Sequence, residues 1–116
     1  MKGIDIALEI AERKRKLFKN YKEIARKIKE SAKKVLKDDE ARVIIFGSVI
    51  KGKQTPLSDL DILIITEKAN KIDYGKTVTE IKERVKKDLI GVEFHIVTKE
   101  VFENWYKRFL DKYEEV

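Results

Sequence analysis

Residues 43–66 read VIIFGSVIKGKQTPLSDLDILIIT. Two apolar runs in this segment, each as long as a buried strand, enclose a polar loop that holds two glycines and the only proline of the chain. Gly47-Ser48 ends the first run, and Asp59 and Asp61 stand two positions apart where the second run begins. Alternate residues of a strand point to the same face, so both carboxylates are expected on one face, where ordinary packing has no use for acids. The pair is a candidate metal site; two solvated aspartates at a strand edge are the alternative.

The residues before this segment have a helical pattern. No Gly or Pro occurs between Ile4 and Leu36, and apolar residues recur there at steps of three or four. This spacing predicts that residues 1–37 form one long helix, or two helices with a bend near Asn20. The acidic residues 38–40 are then expected to lie in the loop that follows.

The residues after the segment alternate between helix and strand patterns. Apolar positions at helical spacing predict a helix over residues 78–89, and the apolar run at 92–97 predicts a third strand. Thr98 is a plausible N-cap for a last helix over residues 99–113. Aromatic residues recur in that helix at Phe102, Trp105, Tyr106, Phe109 and Tyr113. We expect them to pack in the core or at a partner interface rather than to bind a cofactor.

Length and composition restrict the class of protein. A chain of 116 residues corresponds to one domain, too short for a second substrate-binding module, so a large substrate must be held partly by another chain. The absence of Cys excludes a disulfide framework. No apolar run reaches the roughly 18 residues of a membrane span, and the N-terminus lacks an apolar signal core, so a cytoplasmic protein with no membrane contact is expected.

The positive charge is concentrated in the first third of the chain. Residues 1–37 carry 13 basic and 5 acidic side chains, whereas the whole chain has a net charge of only +6. A basic helical face can bind nucleic acid or an acidic partner, but such runs are more often the solvated side of an amphipathic helix. We therefore rank nucleic-acid binding below the chemistry of the central segment.

A third acid lies in the predicted third strand. There Glu93 and His95 share one face, opposite Val92, Phe94 and Ile96. If this strand lies beside the second one, the Glu93 carboxylate can approach the aspartate pair, and three clustered acids would repel strongly without a cation. Otherwise Glu93 is a solvent-facing strand residue. A lone histidine is weak evidence for a ligand, so we expect His95 to support the site from outside it or to be incidental.

The glycine-rich loop comes close to the phosphate-binding pattern G-x-x-x-x-G-K-[ST]. Gln54 stands where that pattern requires a hydroxyl, and Pro56 lies where its helix should run, so we reject it. A simpler phosphate site remains possible. Gly47 would let a polyphosphate approach the backbone, Ser48 offers a hydroxyl and an amide, and Lys51 and Lys53 are candidate countercharges, or ordinary loop lysines.

The combination of Gly47-Ser48, a ten-residue interval, Asp59-Leu60-Asp61 and a later acid between apolar residues resembles the minimal nucleotidyltransferases of the DNA polymerase β superfamily. The strand at 93–97, followed by an aromatic helix with Trp105-Tyr106, is similar to their small archaeal branch. This resemblance implies an α/β (α+β) fold with a small mixed sheet of three or more strands packed against helices. The catalytic core would then span residues 41–98 of a single nucleotidyltransferase domain, residues 1–116.

The resemblance also implies a set of roles. Gly47 and Ser48 would hold the β and γ phosphates of the nucleotide, Asp59 and Asp61 would bind two Mg²⁺ ions, and Glu93 would complete the site that activates the acceptor hydroxyl. The third family position is commonly aspartate, so Glu93 departs from the pattern. The implied reaction transfers a nucleoside monophosphate, AMP from ATP, to a hydroxyl by two-metal chemistry with no protein nucleophile.

The acceptor follows only from the resemblance. Members of this class are often encoded with a helical HEPN-type protein and resemble antitoxins that neutralise it, in some cases by transferring AMP to a tyrosine. The basic N-terminal helix and the aromatic C-terminal helix are candidate docking faces for such a partner or for self-association. The alternative is a non-catalytic binding module of the same fold, which neutralises or scaffolds a partner protein.

Overall fold

A four-stranded mixed β-sheet forms the centre of the protein in a computed structural model that describes residues 2–116. Its strands are β1 (Arg42–Phe46), β2 (Leu60–Ile65), β3 (Val92–Val97) and β4 (Tyr113–Glu115), in the order β3-β2-β1-β4. Strand β1 is antiparallel to both β2 and β4, whereas β2 and β3 are parallel. The predicted mixed sheet packed against helices is confirmed.

Four helices, besides a short 3-10 turn at Ala69–Lys71, accompany the sheet in residues 2–116. They are α1 (Lys2–Lys19), α2 (Tyr21–Leu36), α3 (Tyr74–Val85) and α4, which comprises Lys99–Val101, a π-helical turn over Phe102–Tyr106, and Lys107–Phe109. The N-terminal region is thus two helices with a break at Asn20, as one of the two predicted arrangements requires. Thr98 caps α4 by accepting a hydrogen bond from the Val101 amide, as predicted. Within residues 2–116, none of the helices combines the length and apolarity needed to cross a membrane.

The two faces of the sheet are buried by different helices. Helices α2 and α3 cover one face, where the core includes Ile28, Ile45, Ile62, Ile64 and Ile81, all with no exposed surface. Each such side chain stabilises the fold by about 1.5–3 kcal/mol relative to an exposed one. Helix α4 covers part of the other face through Phe102, which packs on Ile44, Leu63 and Ile65. The rest of that second face stays open, next to the ends of β2 and β3 nearest Asp61 and Glu93.

The predicted helix over residues 99–113 is wrong at its C-terminal end. Helix α4 ends at Phe109, and Tyr113 begins strand β4, which pairs with the free edge of β1. An unpaired strand edge leaves backbone donors and acceptors without partners, and β4 satisfies them. Aromatic spacing alone suggested a helix at Tyr113, but Tyr113 belongs to a strand. From there its ring packs edge-to-face on Phe102, with the ring centroids 6.0 Å apart.

Arg42 and Glu115 hold β4 to β1 through a two-pronged ion pair, with Nε–Oε2 and Nη2–Oε1 distances of 2.8 and 2.7 Å. The hydrogen bonds from Arg42 lower the pKa of the Glu115 carboxyl. Because the pKa of Glu115 is lower in the folded chain, the ion pair stabilises the fold at pH values above the ordinary carboxyl pKa. This stability is lost as the pH falls through the folded-state pKa.

We therefore expect Glu115→Gln to lower the free energy of unfolding at neutral pH by less than about 1 kcal/mol, because the pair is partly exposed. The difference from the native chain should vanish once the pH has fallen below the folded-state pKa of Glu115, where this carboxyl is protonated in both the folded and the unfolded chain. Urea unfolding at neutral pH and along a series of acidic pH values measures this, with the exposed loop variant Glu40→Gln as the control. A Glu115→Gln deficit that is equally large at low pH would contradict the assignment.

Candidate active site

The candidate site lies on the open part of the second face, where strands β2 and β3 bring polar side chains together. In the register of the sheet, Asp61 stands opposite Phe46 of β1 and opposite Glu93 of β3. His95 follows two residues after Glu93 and stands opposite Leu63. Because alternate residues share a face, Asp61, Glu93 and His95 all point to the side that α4 leaves open.

Asp61, Glu93 and His95 form a compact group of possible metal ligands. One ligand atom from each lies within 4.8 Å of the other two. The His95 Nε2 atom is 3.5 Å from Asp61 Oδ1 and 3.9 Å from Glu93 Oε1. The structure therefore brings Glu93 to Asp61, as the sequence predicted on the condition that β2 and β3 are neighbours. It adds His95 as a third member, whereas the sequence had suggested a supporting or incidental position.

Asp59 is not part of this group. It precedes β2, its side chain is 49% exposed, and its Oδ1 lies 3.3 Å from the Lys14 ammonium. Lys14 also donates to the Ser58 carbonyl at 3.2 Å, and its stem passes over Gly91, where a Cβ atom would lie 2.9 Å from Lys14 Cε. The two aspartates of the Asp59-Leu60-Asp61 motif thus have different partners in this structure, one a lysine of α1 and the other the β3 pair.

Gly47 lies directly against the Asp61 carboxylate. Its backbone is left-handed, with φ +91°, and a Cβ atom there would overlap Asp61 Oδ2 and lie 3.4 Å from Cγ. Both the backbone conformation and the space therefore require glycine at this position. The sequence pattern suggested that position 47 is glycine so that a phosphate can approach the backbone. In the structure, the neighbouring Asp61 carboxylate already requires glycine there.

A single helical turn follows Gly47. The Lys51 amide donates to the Gly47 carbonyl at 3.3 Å, and the turn closes with Lys53 N to Ser48 O at 2.9 Å and Gly52 N to Val49 O at 3.4 Å. The last two of these bonds enclose Gly52, which has a left-handed backbone. Such a pair of bonds is a usual way to end a helix. Ser48 therefore occupies the start of the turn, one residue from the glycine that contacts Asp61.

The two loop lysines lie apart from the carboxylates. The Lys51 ammonium is 3.7 Å from Asp111, and Lys53 is exposed. Within residues 2–116, no ion pair or hydrogen bond joins either lysine to Asp61 or Glu93. Their role as phosphate countercharges therefore stays a prediction about the protein with a nucleotide bound.

The His95 ring packs in a cluster with two aromatic rings that also contact each other, their centroids 6.3 Å apart. Its centroid is 5.3 Å from that of Phe46 and 6.2 Å from that of Tyr106. Its Nε2 atom is buried and has no hydrogen-bond partner among residues 2–116. Close by, burial raises the pKa of the Tyr74 phenol, with a smaller contribution from the Glu93 charge, and the Tyr74 hydroxyl donates to the Phe94 carbonyl at 2.7 Å.

These donors suit a divalent cation. Two carboxylates and an unpartnered imidazole nitrogen offer negative charge and lone pairs to one point, and an ion there would relieve the repulsion between the acids.

A cavity of about 530 Å³ lies elsewhere, between α1 and residues 54–56. None of its lining residues belongs to the group of three, so we place the chemistry at the carboxylates, where the charges converge.

Sequence reasoning underestimated two residues. For His95 a signal was present, because alternation placed it on the face of Glu93 two residues away. For Lys14 no local signal existed, since it is one of 13 basic residues among the first 37. Its contact with Asp59 depends on how α1 crosses the sheet edge, which no sequence spacing specifies.

The fold and these carboxylates define a class of enzymes that transfer nucleotides, and comparison with known proteins agrees. Residues 25–114 match the family model of the nucleotidyltransferase domain. The chain therefore belongs to the nucleotidyltransferase domain family. Helix α1, including Lys14, lies outside the matched residues.

Individual relatives give the same result. Two proteins of Methanocaldococcus jannaschii, each named "Putative protein adenylyltransferase", are 32% identical over 93 residues and 33% identical over 95 residues. Each match covers 78% of this chain and 87% of the relative. A crystal structure titled as that of a putative nucleotidyltransferase superposes with a TM-score of 0.57 at 29% identity, over 78% of this chain and 95% of the other.

Proposed function

We propose that the protein is a Mg²⁺-dependent nucleotidyltransferase that moves AMP from ATP to a hydroxyl acceptor. The observation that carries this proposal is the position of Glu93 beside Asp61, at the end of the sheet that Gly47 and Ser48 also reach. Family membership supports transfer of a nucleotide, and the carboxylates supply ligands that Mg²⁺ prefers.

Each predicted residue has a role in this proposal. Asp59, Asp61 and Glu93 would hold two Mg²⁺ ions, which would supply charge stabilisation to the transferring phosphoryl group. Gly47 lets the triphosphate approach the backbone, and Ser48 offers it a hydroxyl and an amide. Lys51 and Lys53 add positive charge on the loop. Glu93 completes the place where the acceptor hydroxyl loses its proton.

The reaction requires no covalent intermediate on the protein. The acceptor oxygen bonds to the α-phosphorus of ATP, the bond between that phosphorus and the bridging oxygen of the β-phosphate breaks, and pyrophosphate leaves. The protein contributes positioning and electrostatic stabilisation to this in-line displacement.

We further propose that the acceptor belongs to another protein, a tyrosine of a HEPN-type partner for which this chain is the antitoxin. The relatives named as protein adenylyltransferases support a protein acceptor. So does the exposed surface of α4, where Trp105 and Phe109 are 63% and 67% exposed with their ring centroids 5.2 Å apart.

The same exposed rings favour the second candidate, a non-catalytic module that neutralises or scaffolds a partner by covering it. The two candidates differ in whether Asp59 and Asp61 are needed. Neutralisation of a HEPN-type protein that persists in the double variant Asp59→Asn, Asp61→Asn would favour the binding module.

Label transfer from ATP tests the catalytic proposal. With Mg²⁺ and a HEPN-type protein present, the acceptor should become labelled from ATP carrying ³²P at the α-phosphate and not from ATP carrying it at the γ-phosphate, because only the α-phosphate stays with the transferred AMP. Pyrophosphate should appear in equal amount. Label from the γ-phosphate would instead indicate a kinase, and omission of the divalent ion serves as the control.

A further inference from the structure

We infer that the Nε2 atom of His95 is itself a ligand of the divalent ion that Asp61 and Glu93 hold, so that this position is a mixed nitrogen and oxygen site that favours Mn²⁺ over Mg²⁺. The inference deepens the proposed function, on which the catalytic role of the ion rests. Binding of the ion is a separate property that can be measured without nucleotide or acceptor.

The geometry of the three donors supports a shared ion. An octahedral ion with bonds of about 2.1 Å keeps neighbouring ligand atoms about 3.0 Å apart. The distances from His95 Nε2 to Asp61 Oδ1 and Glu93 Oε1 are 3.5 and 3.9 Å. Closing each of these two gaps takes less than about 1 Å, and all three ligand atoms already lie within 4.8 Å of one another.

A hydrogen bond does not explain the position of the His95 nitrogen. A useful N–H···O bond needs a separation near 3 Å, and neither carboxylate comes that close. Nε2 is nonetheless buried and has no other partner in the described part of the chain. A buried nitrogen without a partner costs free energy, and coordination of an ion is the interaction that the surrounding carboxylates would accept.

The orientation of the ring is fixed by packing. Phe46 and Tyr106 both pack against the imidazole, and Tyr106 is itself part of the cluster that α4 forms on the sheet. His95 is therefore aimed at Asp61 before any ion arrives. Such preorganisation by neighbouring side chains is typical of metal ligands.

Asp59 does not take the place of His95 in this group. Its carboxylate points to the Lys14 ammonium, 3.3 Å from Asp59 Oδ1, and away from the group of three. The donors that stand together are therefore two carboxylates and one imidazole rather than the two aspartates of the motif. Imidazole suits transition metals, whereas Mg²⁺ prefers oxygen ligands, so the set should bind Mn²⁺ more tightly than Mg²⁺.

The experiment is Mn²⁺ binding to the full chain without nucleotide, followed by electron paramagnetic resonance. Electron spin-echo modulation of the bound Mn²⁺ should show coupling to a histidine ¹⁴N nucleus. His95 is the only histidine of the 116 residues, so such a signal can come from no other side chain. The native protein alone gives this result, which therefore does not depend on the folding of a variant.

The variant His95→Gln keeps the size and polarity of the side chain and removes the imidazole. We expect it to lose the ¹⁴N coupling and to bind Mn²⁺ about tenfold more weakly, while Mg²⁺ affinity changes less than about threefold. Absence of Mn²⁺ binding, absence of histidine coupling in the bound native protein, or an equal loss of both ions in His95→Gln would overturn the inference. Failure of AMP transfer with intact Mn²⁺ coupling would overturn the proposed function instead.

Discussion

Asp61→Asn is expected to weaken binding of ATP in the presence of Mg²⁺ by at least about 100-fold and to abolish AMP transfer. Asp61 is the carboxylate shared by the motif and the β3 pair, so its loss removes the central charge of the site. Removal of groups that merely support a metal ligand costs about 10- to 100-fold, and a direct ligand should cost at least as much.

Calorimetric titration of the variant with ATP and Mg²⁺ measures this effect. Asp39→Asn is the matched control, because it removes the same charge from an exposed loop position. Thermal unfolding should be little changed by either substitution, which shows that binding rather than folding is affected. An ATP affinity of Asp61→Asn within about threefold of native would show that Asp61 does not hold the ion.

Gly47→Ala should reduce AMP transfer as severely as Asp61→Asn does. It displaces the Asp61 carboxylate without changing it chemically. The added Cβ would overlap Asp61 Oδ2, and a misplacement of about 1 Å in a catalytic group can cost about 100-fold in rate. The left-handed backbone at φ +91° adds a stability loss of about 1–3 kcal/mol.

Gly52→Ala separates these two effects. Gly52 is also left-handed, at φ +67°, but a Cβ atom there meets no atom within 4 Å. Both variants should lose stability in urea unfolding, and only Gly47→Ala should lose AMP transfer, with Gly52→Ala within about threefold of native. Equal transfer by the two variants would mean that crowding at Asp61 has no consequence for the reaction.

The parts of the fold with local signals could be predicted from the sequence. Strands β1, β2 and β3 are apolar runs bounded by turn residues, and helix α3 has a regular apolar stripe, so each is specified by its own residues. The bounds of α3 were predicted less well, because it spans Tyr74–Val85 rather than 78–89. Strand β4 has no such signal, because its three residues Tyr-Glu-Glu become a strand only by pairing with β1. Its existence is a property of the assembled sheet.

The same distinction applies to the site. Asp61 and Glu93 could be proposed from alternation along two strands, on the condition that those strands are neighbours. The contact of Asp59 with Lys14 joins residues 45 positions apart, through a helix outside the family match, and no pattern in the sequence predicts it. His95 lies between these cases, since its face was predictable and its unpartnered nitrogen was not.

Because the site depends on the parallel register of β2 and β3, metal binding reports whether these strands have paired correctly. A slip of one residue in β3 would turn Glu93 and His95 toward α2 and α3 and would bring Val92 and Phe94 out toward Asp61. Phe94, buried at the first face, opposes that slip through its packing in the core. A misregistered molecule would therefore keep only Asp61 of the three metal ligands, so the fraction of a preparation that binds Mn²⁺ stoichiometrically reports the fraction that has paired its strands correctly.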